Sequence, residues 1–197
     1  MLAFDWAKIF VESLPVKGIT LIEGEIGEQG RQAVVGEVHS TFVSDRTAIP
    51  EVWAFSDTGL FRGVPCKEEV SVGSAVYVPG EKLFGGMAIY AIVREVDSLA
   101  TEGTIRDAFR CCLGLAELLG IESIAVPAIG TVGREISMQK SAEILLNEVR
   151  ATDLGGGSLS NISFVLKGEP SYRVFEMVND SVTIADQMAR LKGEGRV

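Results

Sequence analysis

Between Thr104 and Leu119, apolar residues recur at Ile105, Ala108, Phe109, Cys112, Leu113, Ala116 and Leu119. This spacing predicts an amphipathic helix with one broad apolar face. Thr104 with Asp107 three residues on predicts a capping box at its start, and Gly120 predicts its stop. The next run, Ile121 to Val126, is short and rich in β-branched residues, the pattern of a central strand buried on both faces. Downstream, Ser137 is placed to cap a helix with Met138, Ala142, Leu145 and Val149 on one face. Asn161 to Leu166 reads as another strand, and Pro170 opens a short helix through Tyr172, Phe175 and Val178. A further helix is expected from Thr183 to Leu191, carrying Ile184, Met188 and Leu191. That stripe serves either packing on the same domain or contact with another subunit, so a homo-oligomer is among the expectations. At the other end, Asp5 to Leu14 reads as a first helix with Trp6, Ile9, Phe10 and Leu14 inward.

Helix, strand, loop, helix, strand, helix is a parallel βα alternation. The predicted fold class is therefore α/β: three layers, α/β/α, around a mainly parallel central sheet. One domain is expected over residues 1–180, with a C-terminal helix and tail over 181–197. Gly155-Gly156-Gly157-Ser158 reads as a flexible joint rather than a phosphate loop, because it precedes a strand instead of following one.

The segment after the central strand carries the candidate chemistry. It reads Pro127-Ala128-Ile129-Gly130-Thr131-Val132-Gly133-Arg134. A loop with Gly130 and Gly133 can turn sharply and aim backbone N–H groups at an anion. The following helix adds partial positive charge at its N-terminus. Open α/β sheets bind ligands at this end of their strands. The same two glycines also suit an ordinary strand-to-helix connection.

Gly120 to Arg150, with the helix before it and Phe164 to Phe175 after it, resembles the macrodomain family. Pro127-Ala128-Ile129-Gly130-Thr131 is similar to that family's second phosphate loop, and Ala142 falls at the family's spacing in the next helix. The resemblance implies a macrodomain-like fold and binding of ADP-ribose or a related nucleotide, with Ala128, Ile129, Gly130, Thr131, Val132, Gly133 and Arg134 around the phosphates. Ile19 to Ile26 resembles the family's first strand, which ends in Gly-Asp-Ile, and Glu25 with Ile26 would face the adenine. Ala33 to His39 lies where the family carries Ala-Ile-Val-Asn-Ala-Ala-Asn, so His39 takes the place of the Asn that faces the distal ribose. Lys167 stands where an aromatic would stack on the adenine.

The chain also departs from the family pattern. The first glycine-rich loop should follow His39, but Ser40 to Arg62 has no glycine run. It carries Asp45-Arg46-Thr47-Ala48-Ile49-Pro50, Trp53, Phe55 and Asp57 instead. Val132 replaces a loop glycine with a stiff, branched side chain. These departures predict the absence of robust ADP-ribosyl hydrolase activity.

Composition narrows the remaining options. A chain of 197 residues builds one good core, and 47% hydrophobic with 23% charged is ordinary for a globular protein. A net charge of −9 without a basic cluster argues against nucleic-acid binding. No stretch approaches a membrane span, and no basic region precedes an apolar core at the start, so a cytoplasmic protein without a membrane partner is expected. Cys66, Cys111 and Cys112 form no disulfide ladder and read as reduced and buried. A single histidine excludes multi-histidine zinc sites, and no metal or cofactor is expected. His39 is either a strand-end residue satisfied by neighbours or a tentative catalytic base. Glu25 and Glu37 can each accept from a ligand amine, cap a turn or face water. Trp53 and Phe55, two apart, share one strand face and read as core.

Three functions remain. The first is a binder of ADP-ribose or a related nucleotide or phosphate. The second is an enzyme acting on another small anion. The third is a non-catalytic interaction or assembly module of the same fold, with the Gly130 loop plugged by side chains such as Val132 or Trp53.

Overall fold

A computed structural model of the protein describes residues 18–42, 52–56, 59–64, 70–133, 136–152 and 157–194. The expected helix at Asp5 to Leu14 lies outside them, as do Asp45 to Pro50, Asp57, Cys66 and Arg134. The strands are β1 (Gly18–Glu23), β2 (Ala33–His39), β3 (Val52–Ser56), β4 (Gly59–Val64), β5 (Ala75–Leu83), β6 (Gly86–Arg94), β7 (Ser123–Val126) and β8 (Asn161–Leu166). The helices are α1 (Glu102–Leu118), α2 (Met138–Ala151) and α3 (Glu169–Glu194).

All eight strands form one sheet in the order β1-β8-β7-β2-β6-β5-β3-β4. From β1 to β6 every pairing is parallel. From β6 to β4 every pairing is antiparallel. The strand expected at Ile121 to Val126 is β7, and it is interior as predicted, lying between β8 and β2. Ile124, Ala125 and Val126 are fully buried on both faces, which parallel strands under a helical layer require.

The three helices of the described residues pack on one face of the sheet. Ile105, Ala108, Phe109 and Cys112 of α1, Ala142, Leu145 and Val149 of α2, and Phe175 and Val178 of α3 share one core with Val35, Ile89, Ala91, Val126 and Phe164 of the strands. Phe164 of β8 ties the layers together. Its ring lies 6.2 Å from that of Phe109 and 5.6 Å from that of Phe175. Such contacts add ~0.5–1.5 kcal/mol each beyond area burial. The opposite face is also buried, through Val76, Val78, Ala88, Tyr90 and Ile92 in one cluster and Val34, Ala125 and Val165 in another.

Two helix boundaries differ from the sequence expectation. The N-cap of α1 is Thr101, three residues before Thr104. The Thr104 amide donates to Thr101 Oγ1, and the Thr101 amide donates to Thr104 Oγ1, so Thr104 fills the position that Glu or Gln holds in the usual box. Asp107 pairs instead with Arg110 at 3.7 Å. The two helices expected after Pro170 are one continuous helix. Ser181 Oγ donates to Met177 O and Thr183 Oγ1 to Asn179 O, so the polar residues between the two expected helices bond back into one helix. Arg150 of α2 also donates to Asn179 Oδ1 and Thr183 Oγ1, holding that stretch against the body.

Phe55 is core as expected, lying against the Cβ-less position of Gly114 in α1. Trp53 is half-buried and meets Tyr77 edge-on at 5.6 Å. Cys111 and Cys112 are buried, and burial pushes the Cys112 thiol pKa well above its ordinary value. Among the described residues, no helix is long and apolar enough to cross a membrane.

Candidate functional site

The sheet topology brings the candidate residues to one edge. Strands β1, β8, β7 and β2 are consecutive neighbours and all parallel, so their C-terminal ends open on the same side. Beyond these ends lie Glu25 and Ile26 after β1, Lys167 after β8 and the loop from Ala128 to Gly133 after β7. Glu37 and His39 lie at the end of β2.

The loop after β7 is fixed by its own polar groups. Thr131 Oγ1 donates to Ala128 O at 2.7 Å, and the buried Ser141 Oγ of α2 donates to Ile129 O at 2.8 Å. The Ile136 amide donates to Gly130 O at 3.2 Å. Ile129 is buried in the core beneath, and Ser137 caps α2 by accepting from the Lys140 amide. Gly130 is buried and holds φ +83°, a left-handed conformation suited to glycine. A Cβ there would overlap Ile105 Cδ1 and crowd Ile136. Glycine at this position is thus required by backbone and packing alone, before any ligand is considered.

The Gly130 amide donates to Glu37 Oε2 at 2.7 Å. The donor that the sequence offered to a ligand anion therefore holds the chain's own carboxylate, and of the three roles open to Glu37 the structure shows it capping a turn. Val132 and Gly133 are exposed, Val132 by 84%. The side chain that replaces the family glycine points to solvent. Val132 therefore does not plug the loop, as the assembly-module reading would have it do; the group bonded to the Gly130 amide is Glu37.

At the β1–β8 end, Lys167 Nζ pairs with Glu25 Oε1 at 2.8 Å. Register explains the contact, since Glu23 is level with Leu166 and the next residues of both strands leave side by side. The Gly24 amide extends the ladder by one bond to Leu166 O. The hydrogen bond and charge of Glu25 raise the Lys167 pKa, although both side chains are largely exposed. Ile26 is half-buried and turns down onto Val34, Ala125 and Val165.

His39 ends β2 at a register shift after Val38, and its Nδ1 lies 2.9 Å from Thr41 Oγ1. That contact is the strand-end arrangement satisfied by a neighbour, one of the two readings open to His39. Among the described residues, no group of three or more His, Cys, Asp or Glu is placed to hold a metal ion.

Two acidic residues that the sequence did not single out organise the helical layer. Glu148 of α2, 7% exposed, takes a bidentate pair from Arg110 at 3.0 and 3.2 Å and a longer one from Arg106 at 3.5 Å. The Glu148 hydrogen bond raises the Arg110 pKa. Glu117, at the end of α1, accepts from the amides of Ser158 at 2.7 Å and Leu159 at 3.1 Å. It anchors the end of the glycine-rich joint.

The sequence model of the Macro domain family matches residues 64–145. No curated relative matches the chain by sequence. Among solved structures, the chain is similar to the Oceanobacillus iheyensis macrodomain with ADP, at a TM-score of 0.63 and 15% identity, covering 88% of this chain and 96% of that one. It is also similar to the Trypanosoma brucei macrodomain in complex with ADP-ribose, at a TM-score of 0.59 and 19% identity, covering 81% of this chain and 68% of that one. In crystal form 1 of the trypanosome protein, the match spans 65% of that chain's length.

Proposed function

We propose that the chain, macrodomain-like in fold, is a divergent member of the macrodomain family that binds ADP-ribose or a related nucleotide or phosphate ligand along the C-terminal edge of β1, β8, β7 and β2, without robust ADP-ribosyl hydrolase activity. One observation carries the reading. The Gly130 amide already holds a carboxylate oxygen at 2.7 Å, so the loop after β7 is shaped to receive an anion. The named relatives with ADP and ADP-ribose support a nucleotide as the anion's source. Residues 128–133 would face the phosphates, with Arg134 beside them. Glu25, Ile26 and Lys167 would face the base, and His39 the distal ribose. Hydrolysis is disfavoured because His39 stands in place of the family's ribose-facing Asn and Ser40 to Arg62 lacks the first glycine loop. A positioned water needs an acceptor of the right reach.

The same Glu37 contact favours a second reading. If the carboxylate holds the loop permanently, the chain is an interaction or assembly module. Calorimetric titration with ADP-ribose to millimolar concentration separates the two. Saturable binding that strengthens in Val132→Gly, which restores the family's loop glycine at an exposed position, supports the nucleotide reading. Absence of binding in both proteins rejects it in favour of the module.

A further inference from the structure

We propose that Ser141 is the positioning residue of the Gly130 loop: its hydroxyl sets the peptide unit between Ile129 and Gly130 so that the Gly130 amide is offered to a ligand phosphate. The inference rests on the nucleotide reading and adds to it the residue that aims the donor. Ser141 is fully buried near the start of α2, and Ala142, Ile144, Leu145 and Leu146 around it in the helix are apolar and buried. A serine in a helix commonly donates to a carbonyl one turn back along its own helix. Here that carbonyl, Ser137 O, takes the Ser141 amide at 3.0 Å, and the hydroxyl donates to Ile129 O in the loop after β7, at 2.8 Å. The Ile129 carbonyl and the Gly130 amide belong to one planar, trans peptide unit, whose C=O and N–H point in opposite directions. Holding the carbonyl toward α2 therefore holds the amide away from α2. Glu37 marks that direction, its Oε2 accepting from the Gly130 amide at 2.7 Å. Thr131 and the Ile136 amide fix the carbonyls of Ala128 and Gly130, which belong to the peptide units on either side. Of these loop contacts, only that of Ser141 acts on the carbonyl of the unit that carries the Gly130 N–H. Glycine resists rotation of its peptide unit least, so an outside hold on the carbonyl matters most there. A donor already aimed binds an anion without the cost of being ordered first.

The test measures ADP-ribose and adenosine binding by calorimetry for the wild type, Ser141→Ala and Val149→Ala, with melting curves to confirm that each is folded. Proton–nitrogen correlation NMR of each free protein follows the Gly130 amide. Adenosine carries no phosphate for the loop to hold. Val149, buried in the same helix about two turns further on, loses core packing away from the loop contact. The expected result for Ser141→Ala is ADP-ribose binding weakened roughly tenfold, the weight of one hydrogen bond to a charged group. Its Gly130 resonance is displaced and its adenosine binding unchanged, while Val149→Ala behaves as the wild type does. ADP-ribose affinity unchanged in Ser141→Ala, with the wild type binding, overturns the role of Ser141 and leaves the nucleotide reading standing. Equal weakening for both ligands, or the same weakening in Val149→Ala, also overturns it, since that would mean a loosened fold rather than a misaimed donor. A Gly130 resonance that stays in place while affinity falls overturns it as well. No binding of either ligand by the wild type overturns the nucleotide reading and this inference with it.

Discussion

Replacing Gly130 by Ala tests whether the loop glycine is a packing residue or only a site of ligand approach. Two costs follow from its surroundings. At φ +83° an L-residue occupies the left-handed region, at ~1–2 kcal/mol. The added Cβ overlaps Ile105 Cδ1 and lies 3.0 Å from Ile136 Cγ1, and Ile105 is fully buried. Overpacking of this kind costs ~1–3 kcal/mol. The sum, about 2–5 kcal/mol, corresponds to roughly 4–20 °C in melting midpoint for a chain of this size. Thermal unfolding followed by circular dichroism measures it. Gly120→Ala is the internal control, because Gly120 has φ +68° but nothing within 4 Å of the Cβ position, so it bears the backbone cost alone. Adding Ile105→Val, which removes the overlapping methyl, should restore part of the loss in a double-mutant cycle. If Gly130→Ala loses no more stability than Gly120→Ala, the packing argument is wrong.

Other outcomes follow from the same contacts. Glu148→Gln leaves Arg106 and Arg110 without their shared carboxylate and is expected to cost about 1.5–3 kcal/mol in urea unfolding, the worth of a charged hydrogen bond. Lys167→Ala removes an exposed ion pair and should leave the melting midpoint unchanged. Cys112 should resist Ellman's reagent in the folded protein and react on unfolding, which mass mapping of the modified thiols would show. With an ADP-ribosylated substrate, no turnover is expected from wild type, His39→Ala or His39→Asn. Turnover in wild type that vanishes in His39→Ala would make this a histidine-dependent hydrolase.

The periodicity of α1 and α2 was legible because both helices have a single buried face against the same core. β7 was legible because a strand buried on both faces leaves an unbroken apolar run at its end. The boundaries that shifted did so for identifiable reasons. Thr101 lies outside the apolar period of α1, so only its hydroxyl marks the cap. The Asn179-Asp180-Ser181 cluster looks like a stop until Ser181 and Thr183 are seen bonding back along the helix. At the site, residues carried on one loop could be read together. Partners set by sheet order could not: nothing in the sequence places Glu37 against Gly130, since their contact depends on β2 inserting between β7 and β6. Glu148 and Glu117 were missed for the same reason, each meeting partners on another element.

Glu117 also shows why a glycine-rich loop does not by itself announce a ligand. The end of the joint before β8 offers two adjacent amides, from Ser158 and Leu159, and Gly157 beside them has no room for a Cβ against the Glu117 carboxylate. In local chemistry this is an anion cradle, filled from within. It leads into the N-terminal end of a strand, where it ties α1 to β8. The Gly130 loop has the same local chemistry and the same kind of internal occupant, but it leaves the C-terminal end of β7. There β8, β7 and β2 end side by side, the kind of edge at which open α/β sheets bind ligands. Position, more than loop composition, separates a structural carboxylate from one that competes with a ligand. A carboxylate holding amides at the other end of the sheet has nothing to exclude. At the edge shared by β8, β7 and β2, the same contact occupies an amide that the proposed ligand would need.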